Sequence, residues 1–426
     1  MNYNCKDKIV INGGKKLEGT FVNQTSKNAV LPIMSASIMC DGIVKLYDVP
    51  NIVDVFNMKK IMSSLGVKIR ARDKNLFLNS DNISFCEIDD NLSKSMRSSI
   101  FLLGALLSKF KRAKITLPGG CKIGARPIDL HIKALKKLNV KCKKLGEHLI
   151  FDASKARANK IKLKIPSVGA SENIIQFACK LKGKTTIINP AREPEVVDLC
   201  NFLNKAGAKI VGAGSNKITI YGVDRLCGVQ YYPIRDRIVS GTIMVATALT
   251  GGDVRIIGGC SKENESLIKI LCSMGCQIET KSDIIHITRE KELVPANIET
   301  GYYPKFPTDL QTIMLTLLST VEGKSVVSER VFENRFLTVC ELNKMGANIS
   351  LKDAHTAVIN GTNCLAGSIV EVADLRGGAS LVLAGLVAKG ETIVSNVRLI
   401  DRGYDHIENM LSSLGADVRR ICQKQK

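Results

Sequence analysis

The sequence predicts an α/β protein of two domains, each made of three helix–strand–helix–strand units whose first helices are enclosed by sheet. Three observations carry this: a motif that returns six times, the same order of elements ahead of each copy, and helical stretches that are apolar on nearly every face.

The motif is a helix cap that leads into a short strand. LGVKI begins at 65, LNVKC at 138, AGAKI at 206, MGCQI at 274, MGANI at 345 and LGADV at 414, in steps of 73, 68, 68, 71 and 69. A near-constant step of this size marks a repeated supersecondary unit. The second residue is Gly66, Asn139, Gly207, Gly275, Gly346 or Gly415. Glycine just past the last periodic residue ends a helix in the left-handed conformation.

The third unit shows the elements in order, in SENIIQFACKLKGKTTIINPAREPEVVDLCNFLNKAGAKI. A first helix begins near Ser171 and runs to a Lys-Gly turn, TTIIN follows as a strand, and the loop PAREPE enters a second helix. There Val196, Leu199, Cys200 and Leu203 fall at i, i+3, i+4 and i+7, the stripe of an amphipathic helix. The first helices differ. SIFLLGALLS in unit two and ASLVLAGLVA in unit six are apolar nearly all round, which predicts burial inside a domain. The split into two sets of three is expected near Tyr232 and Pro233. A closed three-fold arrangement buries the same faces without the capping repeats an open solenoid needs.

Bulk properties agree. A chain of 426 residues exceeds one ordinary core, and 45% apolar with 24% charged residues is a soluble globular composition. The start, MNYNCKDKIVINGGKK, lacks the apolar core of a signal peptide, and no apolar run is long enough to span a membrane. Fourteen scattered cysteines without a CxxC pair read as reduced cytosolic thiols, and five isolated histidines without HExxH give no metal site. The charge of +21 invites a nucleic-acid reading, but aromatics are 5%, tryptophan is absent and the basic residues are spread along the chain. A lysine-rich surface accounts for the charge, and a cleft for anionic substrates would use part of it. GKT at 183–185 and GKS at 323–325 lack the earlier glycine of a phosphate loop and read as strand entries.

The repeat also sorts the polar residues. At the start of the first helices stand Lys27 and Asn28, Arg97, Ser167, Asp236 and Arg237, Asp309, and Arg376. Between strand and second helix stand Cys121 and Arg126, Arg192, Arg335 and Arg402. Helix N-termini attract anions, and arginine adds bidentate recognition of phosphate and carboxylate. Asp309 also suits an N-cap of the apolar helix after it. Cys121 follows two glycines, on a loop that is either a plain turn or a place where a thiol does chemistry.

Eight stretches carry a resemblance over nearly the whole chain: SKNAVLPI at 26–33, MRSSI at 96–100, LPGGCKIGARPIDLHI at 117–132, PSVGASENI at 166–174, FPTD at 306–309, VFENRF at 331–336, DLR at 374–376 and IDRGY at 400–404. They resemble the UDP-N-acetylglucosamine 1-carboxyvinyltransferases of the enolpyruvyl transferase family. The sister 3-phosphoshikimate enzymes share the six-unit fold but lack the cysteine loop. The resemblance implies a two-domain inside-out α/β barrel, with residues 21–232 forming one domain, 1–20 and 233–426 the other, and the active site in the cleft between them. It implies transfer of the enolpyruvyl group of phosphoenolpyruvate to the 3-hydroxyl of UDP-N-acetylglucosamine, without metal or organic cofactor, in the cytoplasm, with no nucleic-acid partner.

The same resemblance implies roles. Cys121 is the general acid, adds covalently to phosphoenolpyruvate and is alkylated by the epoxide fosfomycin. Asp309 takes the proton of the sugar hydroxyl. Lys27, Asn28, Arg126, Arg376 and Arg402 meet phosphoenolpyruvate, with Lys27 and Arg402 also catalytic, and Asp374 orients its neighbours and steadies the developing cation at C2. The nucleotide sugar lies along Arg97, Arg126, Pro127, Ile128, Asp129, Leu130, Ser167, Val168, Gly169, Asp309 and Val331. Where some relatives place a lysine two residues before the serine, this chain has Ile165. The glycines beside Cys121 are expected to let a lid carry the thiol over the substrate.

Overall fold

A computed structural model describes residues 7–84, 87, 100–116, 128–362 and 364–422. Cα packing divides the chain into two units, one running from Thr25 to Ile234, the other joining the residues up to Gln24 with those from Arg235 onward. The first junction falls past residue 20 because the strand Glu18–Val22 pairs in parallel with Asp253–Ile257 and so belongs with the later residues.

Among the described residues each unit holds three small sheets, one per repeat. In Thr25–Ile234 the strand following one repeat lends itself to the sheet of the next. Lys160–Lys162 pairs in parallel with Lys184–Ile188, and Gln230–Tyr231 returns to pair in parallel with Ile43–Leu46 of the first repeat. That return closes the three-fold set. In the other unit, Ile298–Glu299 and Ile369–Glu371 make the same parallel hand-over to Gly323–Ser328 and Glu391–Ser395. Here the sixth repeat lacks its last strand, and Lys8–Asn12 fills the gap between Glu391–Ser395 and Asp417–Ile421.

The six caps form as the sequence dictates. Gly66, Asn139, Gly207, Gly275, Gly346 and Gly415 have φ of 97°, 63°, 108°, 118°, 92° and 93°. After each, the next amide reaches back five residues: Val67 to Met62, Val140 to Leu135, Ala208 to Leu203, Cys276 to Leu271, Ala347 to Leu342 and Ala416 to Leu411. This is the Schellman pattern, and it satisfies carbonyls that each helix end leaves free. Asparagine substitutes for glycine at 139 because it tolerates this conformation, and its Nδ2 also donates to the Lys155 carbonyl at 2.7 Å.

The first helices are Lys27–Ala36, Leu102–Phe110 and Val168–Ala178 in one unit, Arg237–Thr250, Thr308–Ser319 and Leu375–Gly385 in the other. Nearly every residue in them is buried, with sheets outside, so each unit is an α/β fold turned inside out. Close approach has a visible cause at Gly104, where a Cβ would lie 2.3 Å from the Asn173 carbonyl oxygen. The third-unit helix starts at Val168 rather than near Ser171, because Ser167 caps it by accepting from the Ala170 amide. The segments at 183–185 and 323–325 do open strands. Among the described residues no helix is long and apolar enough to cross a membrane, and eleven cysteines are all free.

Candidate active site

In the unit containing residues 235–422, three first helices start beside one another, and the polar residues at these starts interlock. Asp374 caps Leu375–Gly385, accepting from the amides of Arg376 and Gly377 at 3.0 and 3.1 Å. Asp236 caps Arg237–Thr250 through the amides of Ile238 and Val239. Asp309 departs from this pattern. Pro307 holds the cap position of Thr308–Ser319, and Asp309 lies within the first turn, so it is not an N-cap.

Two buried arginines take its carboxylate instead. Arg335 Nη2 donates to Oδ1 at 2.6 Å, while Arg376 Nε and Nη2 donate to Oδ2 at 3.2 and 3.0 Å. Arg335 also donates to the Thr308 carbonyl at 3.2 Å and approaches Asp374 Oδ1 at 3.7 Å. The side chains of Arg335 and Arg376 are 2% and 3% exposed, whereas that of Asp309 is 27% exposed. The partly open group of the cluster is thus the carboxylate, aimed by cations that water does not reach. Burial works against the charge of Arg376, but Asp309, Tyr404 and Asp236 together outweigh it and hold the group above the ordinary guanidinium value.

Arg376 also lies over the ring of Tyr404, 5.4 Å from its centre, and the Tyr404 hydroxyl meets Thr242 Oγ1 at 2.9 Å. Through Tyr404 the IDRGY loop, with half-buried Arg402, is tied to the cluster. The loop is held twice more. Gln24 donates to the Gly403 carbonyl and accepts from the Asp405 amide, both at 3.0 Å. Arg420, on the last strand, donates to both oxygens of Asp401 at 2.9 and 2.6 Å and grips Glu408 at 2.8 and 3.1 Å. Val331 is placed by Glu329, which is fully buried and accepts from the amides of Val331 and Phe332 and from the Thr308 hydroxyl.

This anchoring titrates. Burial would raise the Glu408 carboxyl, but bonds from His406 and Arg420 outweigh it and bring it from 4.5 down to about 2. Asp401 and, at 3.6 Å, Asp7 face the same guanidinium. A depressed carboxyl stabilises the fold above pH 4.5 and loses that contribution as pH falls toward 2. The contribution at neutral pH is about 3 kcal/mol. Glu408→Gln is therefore expected to be destabilised by about that amount at neutral pH in urea unfolding and by about 2 kcal/mol less near pH 3. An unchanged gap between wild type and variant across this range would contradict the network.

In the unit Thr25–Ile234, two predicted stretches come together. Helix Asp129–Lys137 packs against helix Val168–Ala178 at the latter's start: His131 would touch a Cβ on Gly169 at 3.1 Å, and Asn173 Nδ2 meets His131 Nδ1 at 3.1 Å and the Gly169 carbonyl at 3.0 Å. These contacts bring the starts of the two helices together. Asp129 itself pairs with Lys133 at 2.8 Å. Lys27 and Asn28 open the first helix of this unit, and Lys27 reaches buried Asp54 at 3.3 Å. Arg192 is exposed. Arg97, Cys121, Arg126 and Pro127 lie outside the described residues.

The sequence marks Arg335 only as one of the loop arginines suited to anions and gives no role to Glu329, Tyr404 and Arg420. The position of Arg335, equivalent by repeat to Arg402, was a signal for it. The others had none, since nothing in a single sequence says which buried polar residue meets which.

Known proteins share this fold. Residues 11–411 match the family described as EPSP synthase (3-phosphoshikimate 1-carboxyvinyltransferase). The chain is 44% identical to UDP-N-acetylglucosamine 1-carboxyvinyltransferase 2 of Caldanaerobacter subterraneus subsp. tengcongensis, over 97% of this chain and 99% of that one. It is likewise 44% identical to UDP-N-acetylglucosamine 1-carboxyvinyltransferase 1 of Clostridium perfringens, over 97% and 100%. Among solved structures, the enolpyruvyl transferase NikO from Streptomyces tendae superposes with a TM-score of 0.87 at 22% identity, covering 98% of this chain and 99% of that one. An EPSP synthase from Acinetobacter baumannii gives 0.76 at 18%, covering 98% and 100%. The chain belongs to the enolpyruvyl transferases of the EPSP synthase family and, within them, to the UDP-N-acetylglucosamine 1-carboxyvinyltransferases.

Proposed function

We propose that this chain transfers the enolpyruvyl group of phosphoenolpyruvate to the 3-hydroxyl of UDP-N-acetylglucosamine with release of phosphate, the first committed step of peptidoglycan precursor synthesis. The observation that carries the chemistry is Asp309, a partly exposed carboxylate gripped by two buried arginines at a helix start. A carboxylate held that way is fixed in direction and stands ready for a sugar hydroxyl.

In this reading Cys121 protonates C3 of phosphoenolpyruvate while the sugar oxygen, its proton passing to Asp309, bonds to C2. The adduct then loses a C3 proton and expels phosphate. Lys27, Asn28, Arg126, Arg376 and Arg402 offset the charge of phosphoenolpyruvate, and such prearranged cations supply the electrostatic stabilisation that dominates reactions of this kind. Asp374, fixed as a cap beside Arg335, orients Arg376. Arg97, Arg126, Pro127, Ile128 to Leu130, Ser167 to Gly169 and Val331 receive the nucleotide sugar. Neither metal nor organic cofactor enters the steps. Fosfomycin is the expected inhibitor and the cytoplasm the expected location.

The family description names a 3-phosphoshikimate enzyme, which makes shikimate 3-phosphate the rival acceptor. Phosphate release from phosphoenolpyruvate decides between them. It is expected with UDP-N-acetylglucosamine and at background level with shikimate 3-phosphate; the reverse pattern overturns the proposal.

A further inference from the structure

The basic charge of this protein is confined to one half. Residues 25–234 hold 35 of the 61 lysines and arginines against 16 of the 40 carboxylates, a net of +19, while the remaining residues hold 26 against 24, a net of +2. A general preference for lysine in surface positions would act on both halves alike.

Part of this excess is laid out on a single sheet. The third repeat's sheet runs Lys209–Val211, Lys217–Tyr221, Lys184–Ile188, Lys160–Lys162. Cα partners across a sheet share a face. Lys209 aligns with Tyr221 and Lys184, Val211 with Thr219, Thr186 and Lys160, and Lys217 with Ile188 and Lys162. The alternate residues, such as Ile161, Ile187, Ile210, Ile218 and Ile220, are buried in the core. The outward face therefore presents five lysines and no carboxylate. Among the described residues none of the five forms an ion pair; Lys184 alone leans toward an aromatic ring, that of Tyr221. Between them stand two large apolar side chains open to solvent, Val211 at 58% and Tyr221 at 43%.

We infer that this sheet face docks on an anionic lipid surface. Unpaired like charges on one face repel one another and are relieved by a polyanion. The composition selects a membrane over nucleic acid. The face has lysine and no arginine, hence no bidentate fork for phosphate or guanine, and one aromatic ring is too few for a base-stacking platform. Lysines around exposed aliphatic and tyrosyl groups suit the interface of a bilayer, where ammonium groups meet headgroups and apolar groups enter the acyl boundary. The attachment is peripheral and reversible, and none of these residues belongs to the proposed catalytic machinery.

The test is cosedimentation of the full chain with vesicles of phosphatidylcholine alone or mixed equally with phosphatidylglycerol. Binding is expected only to the mixed vesicles and is expected to fall as salt is raised. A variant with Lys160, Lys162, Lys184, Lys209 and Lys217 changed to Gln should partition at least about tenfold more weakly. A control with Lys262, Lys281, Lys291, Lys324 and Lys389 of the other unit changed to Gln has the same net charge and should bind nearly as wild type. Phosphate release by both variants should match wild type, which verifies folding. Equal loss in both variants, absence of binding to mixed vesicles, or tighter binding to a mixed-sequence DNA duplex than to those vesicles at the same salt each overturns the proposal.

Discussion

Asp309→Asn is expected to lower kcat by about two to four orders of magnitude while the KM for UDP-N-acetylglucosamine stays within a few-fold. The amide matches the carboxylate in shape, so the helix start and the hydroxyl-facing surface persist. It cannot take a proton. One arm of Asn also offers N–H groups to a guanidinium that needs an acceptor, either Arg335 or Arg376, both of which are buried. Leaving a buried charge short of its partner costs about 3 kcal/mol or more, so the variant should also melt earlier. Assays well below the melting transition separate the two effects. A variant that retains kcat within tenfold would mean that the hydroxyl proton leaves by another route.

Cys121→Ser should cost about as much in turnover, two to four orders of magnitude, because a serine hydroxyl is a far weaker acid than a thiol. It should also abolish the single fosfomycin adduct seen in the intact mass of the wild type. The other cysteines sharpen this test. Burial pushes the thiols of Cys40 and Cys200 up to about 12 and that of Cys276 to about 11, which makes them inert nucleophiles. Among the described residues, Cys227, Cys272, Cys340, Cys364 and Cys422 are exposed and are competing targets. An adduct that persists in the serine variant would lie on another cysteine and remove the reason for placing Cys121 at the reaction centre.

The fold was legible because it is written in local signals repeated six times. The caps announce themselves through glycine at a fixed step, and the first helices through apolar residues with no polar face. Pairing between repeats was not legible. Nothing in KIVIN marks it as the missing strand of a sheet formed near the other end of the chain, because strand partners are chosen by three-dimensional closure, not by neighbouring residues. The candidate site divides the same way. Asp309 and Arg376 stood out by position in the repeat and by resemblance, Asp374 by resemblance alone. The clamp on Asp309 emerges only with Arg335 turned inward from a different loop; the N-cap position that Asp309 suited is held by Pro307, which has no side-chain acceptor, and the Asp309 carboxylate meets the arginines instead. Arg420 and Glu408 hold the loop of Arg402 from a strand and a helix whose sequences look like ordinary charged surface.

The mechanism rests on addition of a proton to C3 followed by loss of one from the same carbon. The product formed from phosphoenolpyruvate and UDP-N-acetylglucosamine in deuterium oxide, analysed by mass spectrometry, tests this most directly. Enolpyruvyl product carrying solvent deuterium at C3 is the expected result. Product formed at full rate with no deuterium at that carbon would contradict addition–elimination and with it the work assigned to Cys121.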